Sequence, residues 1–178
     1  AVAKAIKHDI TILSMHTNMD NARGGVNFKM AEKMQLTGVK FFTEKQVDGI
    51  TCGSGVMGEL PGAMAADDFI MMLKREFDVE CVQCNQLLRR PIRTVAICGG
   101  AGSFLLPEAI AAGADAFVTG EMHYHDYFAH EQEIQIAVIG HYQSEQYTYE
   151  IFKSIIEEQC EGVRCVVTSQ NTNPIIYL

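Results

Sequence analysis

From residue 92 onward the chain alternates between apolar runs of strand length and periodic runs of helix length, joined by short links. "IRTVAIC" leads through the glycine turn "GGAGS" to the helical "FLLPEAIAAG". Then come "ADAFVTG", the short helix of "EMHYHDYFAHEQE", "IQIAVIG", the long helix "SEQYTYEIFKSIIEEQC" and a last strand, "VRCVVT". Strands covered by helices on both faces read as continuous apolar runs, and neighbouring parallel strands need a helical crossover between them. This rhythm predicts an α/β fold: a mostly parallel sheet with flanking helices.

The first half fits the same class less regularly. "AVAKAIKHD" reads as the back half of an amphipathic helix, so the chain is expected to begin downstream of the true start of its protein. "ITILSM" has the β-branched composition of a buried strand. "VNFKMAEKMQL" has helical spacing with Gly38 as its C-cap, and "VKFF" reads as a short strand. "KQVDGITCGSGVMGEL" is a hairpin or an irregular connection. "MAADDFIMMLKREF" is a helix with acids at its start and Lys74-Arg75 near its end, as the dipole prefers, and "VECVQC" is a strand. The 178 residues are read as one domain.

Composition removes several function classes. No apolar run approaches the ~20 residues of a membrane span, and no secretory signal pattern is visible. The six cysteines are read as mostly buried thiols of a reducing compartment, which makes the expected location cytoplasmic. A net charge of −8 disfavours nucleic acid, and "RRPIR" at 89–93 reads as a solvated loop. Cys81-x-x-Cys84 has no second Cys/His pair to complete a zinc ribbon, and Met64, Met71 and Met72 read as core.

Open α/β sheets gather their chemistry where strands end at the carboxyl edge. Four polar clusters stand at such ends: "HTNMD", "GGAGS", "GEMHYH" and "GHYQSE". They hold His16, His123, His125 and His141, with His130 one turn further on. His141 at a strand exit and Glu145 in the first helical turn can converge on one ion, and mixed nitrogen and oxygen donors favour Zn, Mn or Fe over Ca. The plainer reading has Glu145 complementing the helix dipole and His141 bonding backbone. Asp20 leaves its strand into a loop rich in Asn and Gly, where it is either a carboxylate ligand or a turn cap. "CGGAGS" has the look of a phosphate-cradling turn but lacks the Lys of a P-loop and the G-x-G-x-x-G spacing; close strand–helix packing explains its glycines equally well. His123 and His125 are candidates for a general acid or a supporting partner, or are plain surface residues.

In order along the chain, "HTNMDNARGGVN", "GSGVMGEL", "VAICGGAGS", "ADAFVTGEMHYHD" and "GHYQSEQ" resemble the GTP cyclohydrolase 1 type 2 homologue family, also called the Nif-three-like proteins. The closing "TNPIIYL" is similar to its bacterial branch. The resemblance implies a toroidal homohexamer with two divalent ions facing its interior. It assigns Asp20 as a carboxylate bridging both ions, and His141 with Glu145 as the ligand pair of the last strand–helix junction. His16 is implied near the site, and His125 in a supporting or acid–base role. The family's remaining ligands come from an upstream His-His pair that this sequence lacks, so the chain is expected to be a fragment. A domain that some members insert near residues 46–50 is absent as well. The function so implied is a metal-dependent, hydrolase-like activity on an unknown small molecule, using an activated water. The competing expectation is a non-catalytic metal-binding or partner-binding ring-shaped scaffold.

Overall fold

A computed structural model describes residues 1–176; Tyr177 and Leu178, the end of the "TNPIIYL" motif, lie outside the described residues. The order of elements is α1 (Val2–Lys7), α2 (Thr17–Asp20), α3 (Val26–Lys33), β1 (Thr37–Val47), β2 (Ile50–Met64), α4 (Ala66–Glu76), β3 (Gln83–Cys84), β4 (Ile92–Cys98), α5 (Leu106–Ala111), β5 (Ala116–Thr119), β6 (Gln135–Val138), α6 (His141–Glu145) and α7 (Thr148–Gln159). Short 3-10 turns occupy Ser103–Leu105 and Tyr124–Tyr127. One six-stranded sheet carries them in the order β1-β2-β4-β5-β6-β3.

The fold class is α/β, as the alternation predicts, but the sheet is mixed. Only β4–β5 and β5–β6 are parallel, while β1–β2, β2–β4 and β3–β6 are antiparallel. The parallel centre comes from the helical crossovers after residue 92. The antiparallel flank comes from "KQVDGITCGSGVMGEL", a long hairpin whose register runs to Val47↔Ile50 across Asp48-Gly49. Both turn residues have positive φ (51° and 79°), the type I′ geometry whose twist matches that of the strands.

Burial on both sheet faces explains the apolar runs. Val95, Ile97, Ala116, Val118, Ala137 and Ile139 pack on one side with Met30 of α3 and Phe69, Leu73 and Phe77 of the α4 region. The alternate residues Ala96, Cys98, Phe117, Ile136 and Val138 pack on the other with Leu105, Leu106 and Ala109 of the α5 region.

Several expected elements differ. "ITILSM" (10–15) forms no strand; its side chains are exposed, and among the described residues no strand lies beside it. β-branched composition favours a strand only where a ladder partner takes up the main-chain groups. "VRCVVT" is likewise unpaired, and "VECVQC" narrows to the two residues that reach β6. The long last helix is two: Gln146 and Tyr147 separate α6 from α7. Gly38 lies within β1, and α3 ends earlier, at Lys33 with Met34 as its C-cap. Of the six free cysteines only Cys98 is buried, because the others fall on the hairpin, the short β3 region and the C-terminal segment. Met72 is core and Met64 packs against it, but Met71 is exposed on the outer face of α4. "RRPIR" is engaged rather than merely solvated: Arg90 pairs with Asp115, and Arg93 with Glu59. Among the described residues no helix is long and apolar enough to cross a membrane.

Candidate metal centre

β4, β5 and β6 are parallel and in register, with Cys98 opposite Thr119 and Thr119 opposite Val138. Their following loops therefore leave the sheet side by side at its carboxyl edge, where three of the four polar clusters meet. Main-chain bonds stitch these loops together. The carbonyl of Gly100 accepts the N–H groups of Gly120 and Glu121, at 3.0 Å each. Gly100 N–H donates to Ser144 Oγ at 2.9 Å, and that hydroxyl donates to the His141 carbonyl at 2.8 Å. Gly102 N–H donates to Thr119 Oγ1 at 3.2 Å. Ser144 and Thr119 are both buried, so each hydroxyl satisfies backbone that water cannot reach.

His141 opens α6 and Glu145 closes it, so the four-residue spacing puts both on one helical face. His141 Nε2 lies 3.4 Å from Glu145 Oε1. On the other side of the ring, Nδ1 lies 2.7 Å from Glu121 Oε1. Against an ionised Glu121, Nδ1 carries the proton and Nε2 offers its lone pair towards Glu145; this tautomer follows from the bonding pattern. Carboxylate–histidine pairs of this kind orient metal-binding imidazoles and raise their basicity.

Asp20 arrives from the other half of the chain, at the end of the one-turn helix α2. Buried Asn27 ties it in: Nδ2 donates to the Asp20 carbonyl at 3.0 Å, while Oδ1 accepts Gly99 N–H at 2.8 Å. Burial raises the Asp20 carboxyl, with His16 and His141 pulling the other way. Glu145 is also raised, first by burial and then by the charges of Asp20 and Glu121, with His141 and His16 opposing. His16 and His141 thus act on the charges of both Asp20 and Glu145. Burial pushes the neighbouring Cys98 thiol up to about 12, helped by Asp20 and Glu145, so it stays protonated.

The spacing of the His141 and Glu145 donor atoms suits two ligands of a divalent cation. The 3.4 Å between His141 Nε2 and Glu145 Oε1 is close to the edge of a tetrahedron with bonds of about 2.1 Å. The pair converges over Gly100, which has φ of +61°; a Cβ there would collide with Glu145 Oε1 and stand 3.4 Å from His141 Nε2. Burial raises both carboxyls, and a positive charge beside them would favour their ionised forms.

A cavity of about 400 Å³ opens beside this group, lined by Cys81, Ser103, Glu121, His123 and His141 among others. His123 belongs to that wall; His125 is not among the lining residues, and stacks instead on His123 with ring centroids 5.5 Å apart. Among the described residues, three donor atoms come within 4.8 Å of one another at His123, His125 and Asp126, not at Asp20, His141 and Glu145. Sequence reading missed Glu121 and Asn27. Glu121 stands in the "GEMHYH" cluster but was overshadowed by its histidines, and nothing in "GGVN" marks Asn27 as the link between Asp20 and the glycine turn.

The model of the Duf34/NIF3 (NGG1p interacting factor 3) family matches residues 1–174. The chain belongs to the Duf34/NIF3 family. A GTP cyclohydrolase 1 type 2 homolog of Streptococcus pneumoniae is 33% identical over 124 residues, covering 67% of this chain and 45% of that protein. A protein of the same name from Clostridium perfringens is 28% identical over 181 aligned positions, covering 99% of this chain and 68% of its own length. The chain therefore spans between about half and two thirds of the length of these family relatives. Among solved structures, Staphylococcus aureus protein SA1388 superposes with a TM-score of 0.86 at 24% identity, over 99% of this chain and 72% of the other. A Bacillus cereus protein related to NIF3 gives 0.83 at 21% identity, over 99% and 76%. At these identities the likeness shows a common fold.

Proposed function

We propose that this Duf34/NIF3 chain holds a divalent metal, of the Zn, Mn or Fe class, between Asp20, His141 and Glu145, and that the complete protein uses two such ions in a hydrolase-like reaction on a small molecule. The observation that carries the reading is the convergence of His141 Nε2 and Glu145 Oε1, 3.4 Å apart, over a glycine with no room for a side chain. A bound ion of this class supplies Lewis acidity and draws the pKa of a water towards neutrality. The chain's own residues do the rest. Glu121 fixes the ring and tautomer of His141, and Asn27 holds Asp20 to the glycine turn. The adjoining cavity receives the substrate, and His123, with His125 stacked behind it, carries a proton at its wall while both imidazoles are metal-free.

Homo-oligomeric assembly into a ring belongs to the same proposal, and one observation supports it. Ile10, Ile12, Leu13 and Met15 form an exposed apolar run, an uncommon sight on a chain that stays alone. The scaffold reading draws on the same run and differs in having no turnover.

Elemental mass spectrometry on untagged protein, purified without added metal, tests the proposal beside Asp20→Ala and His141→Ala. Zn, Mn or Fe in wild type that is lost in both variants is the expected result; metal-free wild type overturns it. Hydrolysis of a phosphoester or cyclic amidine panel, abolished by Asp20→Ala, separates the enzyme from the scaffold, which loses metal in that variant but keeps its partner.

A further inference from the structure

The turn after β5 carries a second group of donors that the proposed centre does not use. His123 precedes the 3-10 turn Tyr124–Tyr127, where its carbonyl accepts the Asp126 N–H at 3.0 Å and the Asp126 carboxylate accepts the His123 N–H. That second bond is 3.2 Å long and ends on Oδ2. The Asp126 carboxylate is thereby fixed to the main chain of the turn. His123 Nδ1 lies 3.5 Å from Asp126 Oδ2, and His125 Nε2 lies 3.5 Å from Asp126 Oδ1. The two rings are nearly parallel, 15° apart, on the same side of the turn.

We infer that His123, His125 and Asp126 form a second divalent-cation site, separate from the Asp20–His141–Glu145 group and independent of whether that group binds metal. All three donor atoms lie within 4.8 Å of one another. Each imidazole nitrogen lies 3.5 Å from one oxygen of the same carboxylate, His123 from Oδ2 and His125 from Oδ1, so a small rotation of the Asp126 carboxylate or of the rings brings one oxygen and both nitrogens onto an ion with bonds of about 2.0–2.1 Å. Two imidazoles and one carboxylate select zinc-class ions (Zn²⁺, Co²⁺, Ni²⁺, Cu²⁺) over Ca²⁺ or Mg²⁺, which prefer oxygen. The stacked imidazoles are both 77% exposed and rotate onto an ion without displacing core. Three protein ligands leave a position for an outside donor. Because His123 lines the cavity shared with Glu121 and His141, a ligand entering that cavity reaches this ion. The turn would then hold an ion that gives the cavity an electrophilic anchor for an anionic group.

The test is Zn²⁺ titration of chelator-stripped protein by calorimetry. Wild type is compared with His125→Ala, with His123→Ala/His125→Ala and with Asp20→Ala/His141→Ala. The expected result is that both variants of the turn bind one equivalent fewer than wild type, or bind that equivalent at least tenfold more weakly. Asp20→Ala/His141→Ala keeps the equivalent, and Co²⁺ added to it gives visible absorption that disappears when His125→Ala is combined with it. The His125 side chain takes no part in the bonds between residues 123 and 126, so its single variant reports on binding even if His123→Ala alters the turn. Unchanged stoichiometry and affinity in His125→Ala, or no binding by Asp20→Ala/His141→Ala, overturns the second site. Failure of the first centre reads separately, as a wild type that binds no more than Asp20→Ala/His141→Ala.

Discussion

Gly100→Ala separates a cradle built for ligands from a tight turn built for packing. Two costs are expected. An L residue at φ +61° pays about 1–2 kcal/mol for left-handed backbone. The new methyl also meets Glu145 Oε1, the far end of a flexible side chain, which must retreat by about 1 Å to reach ordinary contact distance. Rotation of the half-buried Glu145 carboxylate costs little in stability beside the backbone cost but is ruinous for ligation, because metal sites tolerate bond-length departures of only about 0.2 Å. Gly113 is the control: its φ is +76° and nothing lies within 4 Å of a Cβ built there, so Gly113→Ala carries the backbone cost alone. Both variants should lower Tm by a similar amount, roughly 2–8 °C for a chain of this size. Zn²⁺ titration should then part them. Gly113→Ala keeps wild-type affinity at the Asp20–His141–Glu145 centre, whereas Gly100→Ala loses more than tenfold, with no further loss when Glu145→Ala is added. Equal affinities for the two glycine variants would refute the reasoning and return "GGAGS" to a plain packing turn.

Glu121→Gln should weaken metal binding about 10–100-fold while leaving the melting curve nearly unchanged, since it removes the charge that orients His141 at 2.7 Å and little packing; paired Zn²⁺ titration and thermal melts check this. Asn27→Ala strips partners from the Gly99 N–H and the Asp20 carbonyl and should cost about 2–4 kcal/mol in guanidinium unfolding, together with metal affinity. Phe117→Ala empties a fully buried position at the centre of the parallel strands and should cost about 3–5 kcal/mol without touching a donor atom. Asp115 gives a pH signature. Burial alone would raise its carboxyl, but the N–H groups of Thr94 and Arg93 and the Arg90 guanidinium outweigh burial and hold it below the ordinary range. A depressed folded pKa contributes stability that is present above the unfolded value of about 3.9 and is lost as pH falls through the folded one. The stability gap between wild type and Asp115→Ala, about 2 kcal/mol at pH 6, should therefore close as unfolding is repeated towards pH 2.

How much was legible from sequence depended on whether the cause lay near in the chain. The apolar runs 92–98, 116–119 and 135–138 could be read as parallel strands because both their faces are covered, and the His141–Glu145 pair because helical spacing is local. "ITILSM" was misread because strand formation depends on a neighbour, and no residue within the run says whether one exists. The antiparallel flank was half legible: a hairpin was one of two readings of this stretch, because the strong Asp48-Gly49 hairpin signal is diluted by the three glycines that follow at 53, 55 and 58. The buried link through Asn27 was illegible for a different reason: a bond to Gly99 spans 72 residues, and an Asn in a helix has no local feature that predicts it.

That 72-residue span also sets an order of events. The loops bearing Gly100, Gly120 and His141 belong to strands about 20 residues apart, and their shared bonds close short stretches of chain. Loop closure costs more entropy as the stretch lengthens, and contacts distant in sequence form late. A refolding chain should therefore assemble the His141–Glu145 end of the centre first, as part of the parallel core, and receive Asp20 only when Asn27 docks. In stopped-flow refolding, the arrival of Asp20 would mark the last closure of the domain, and the completed donor set would serve as a clock for native structure.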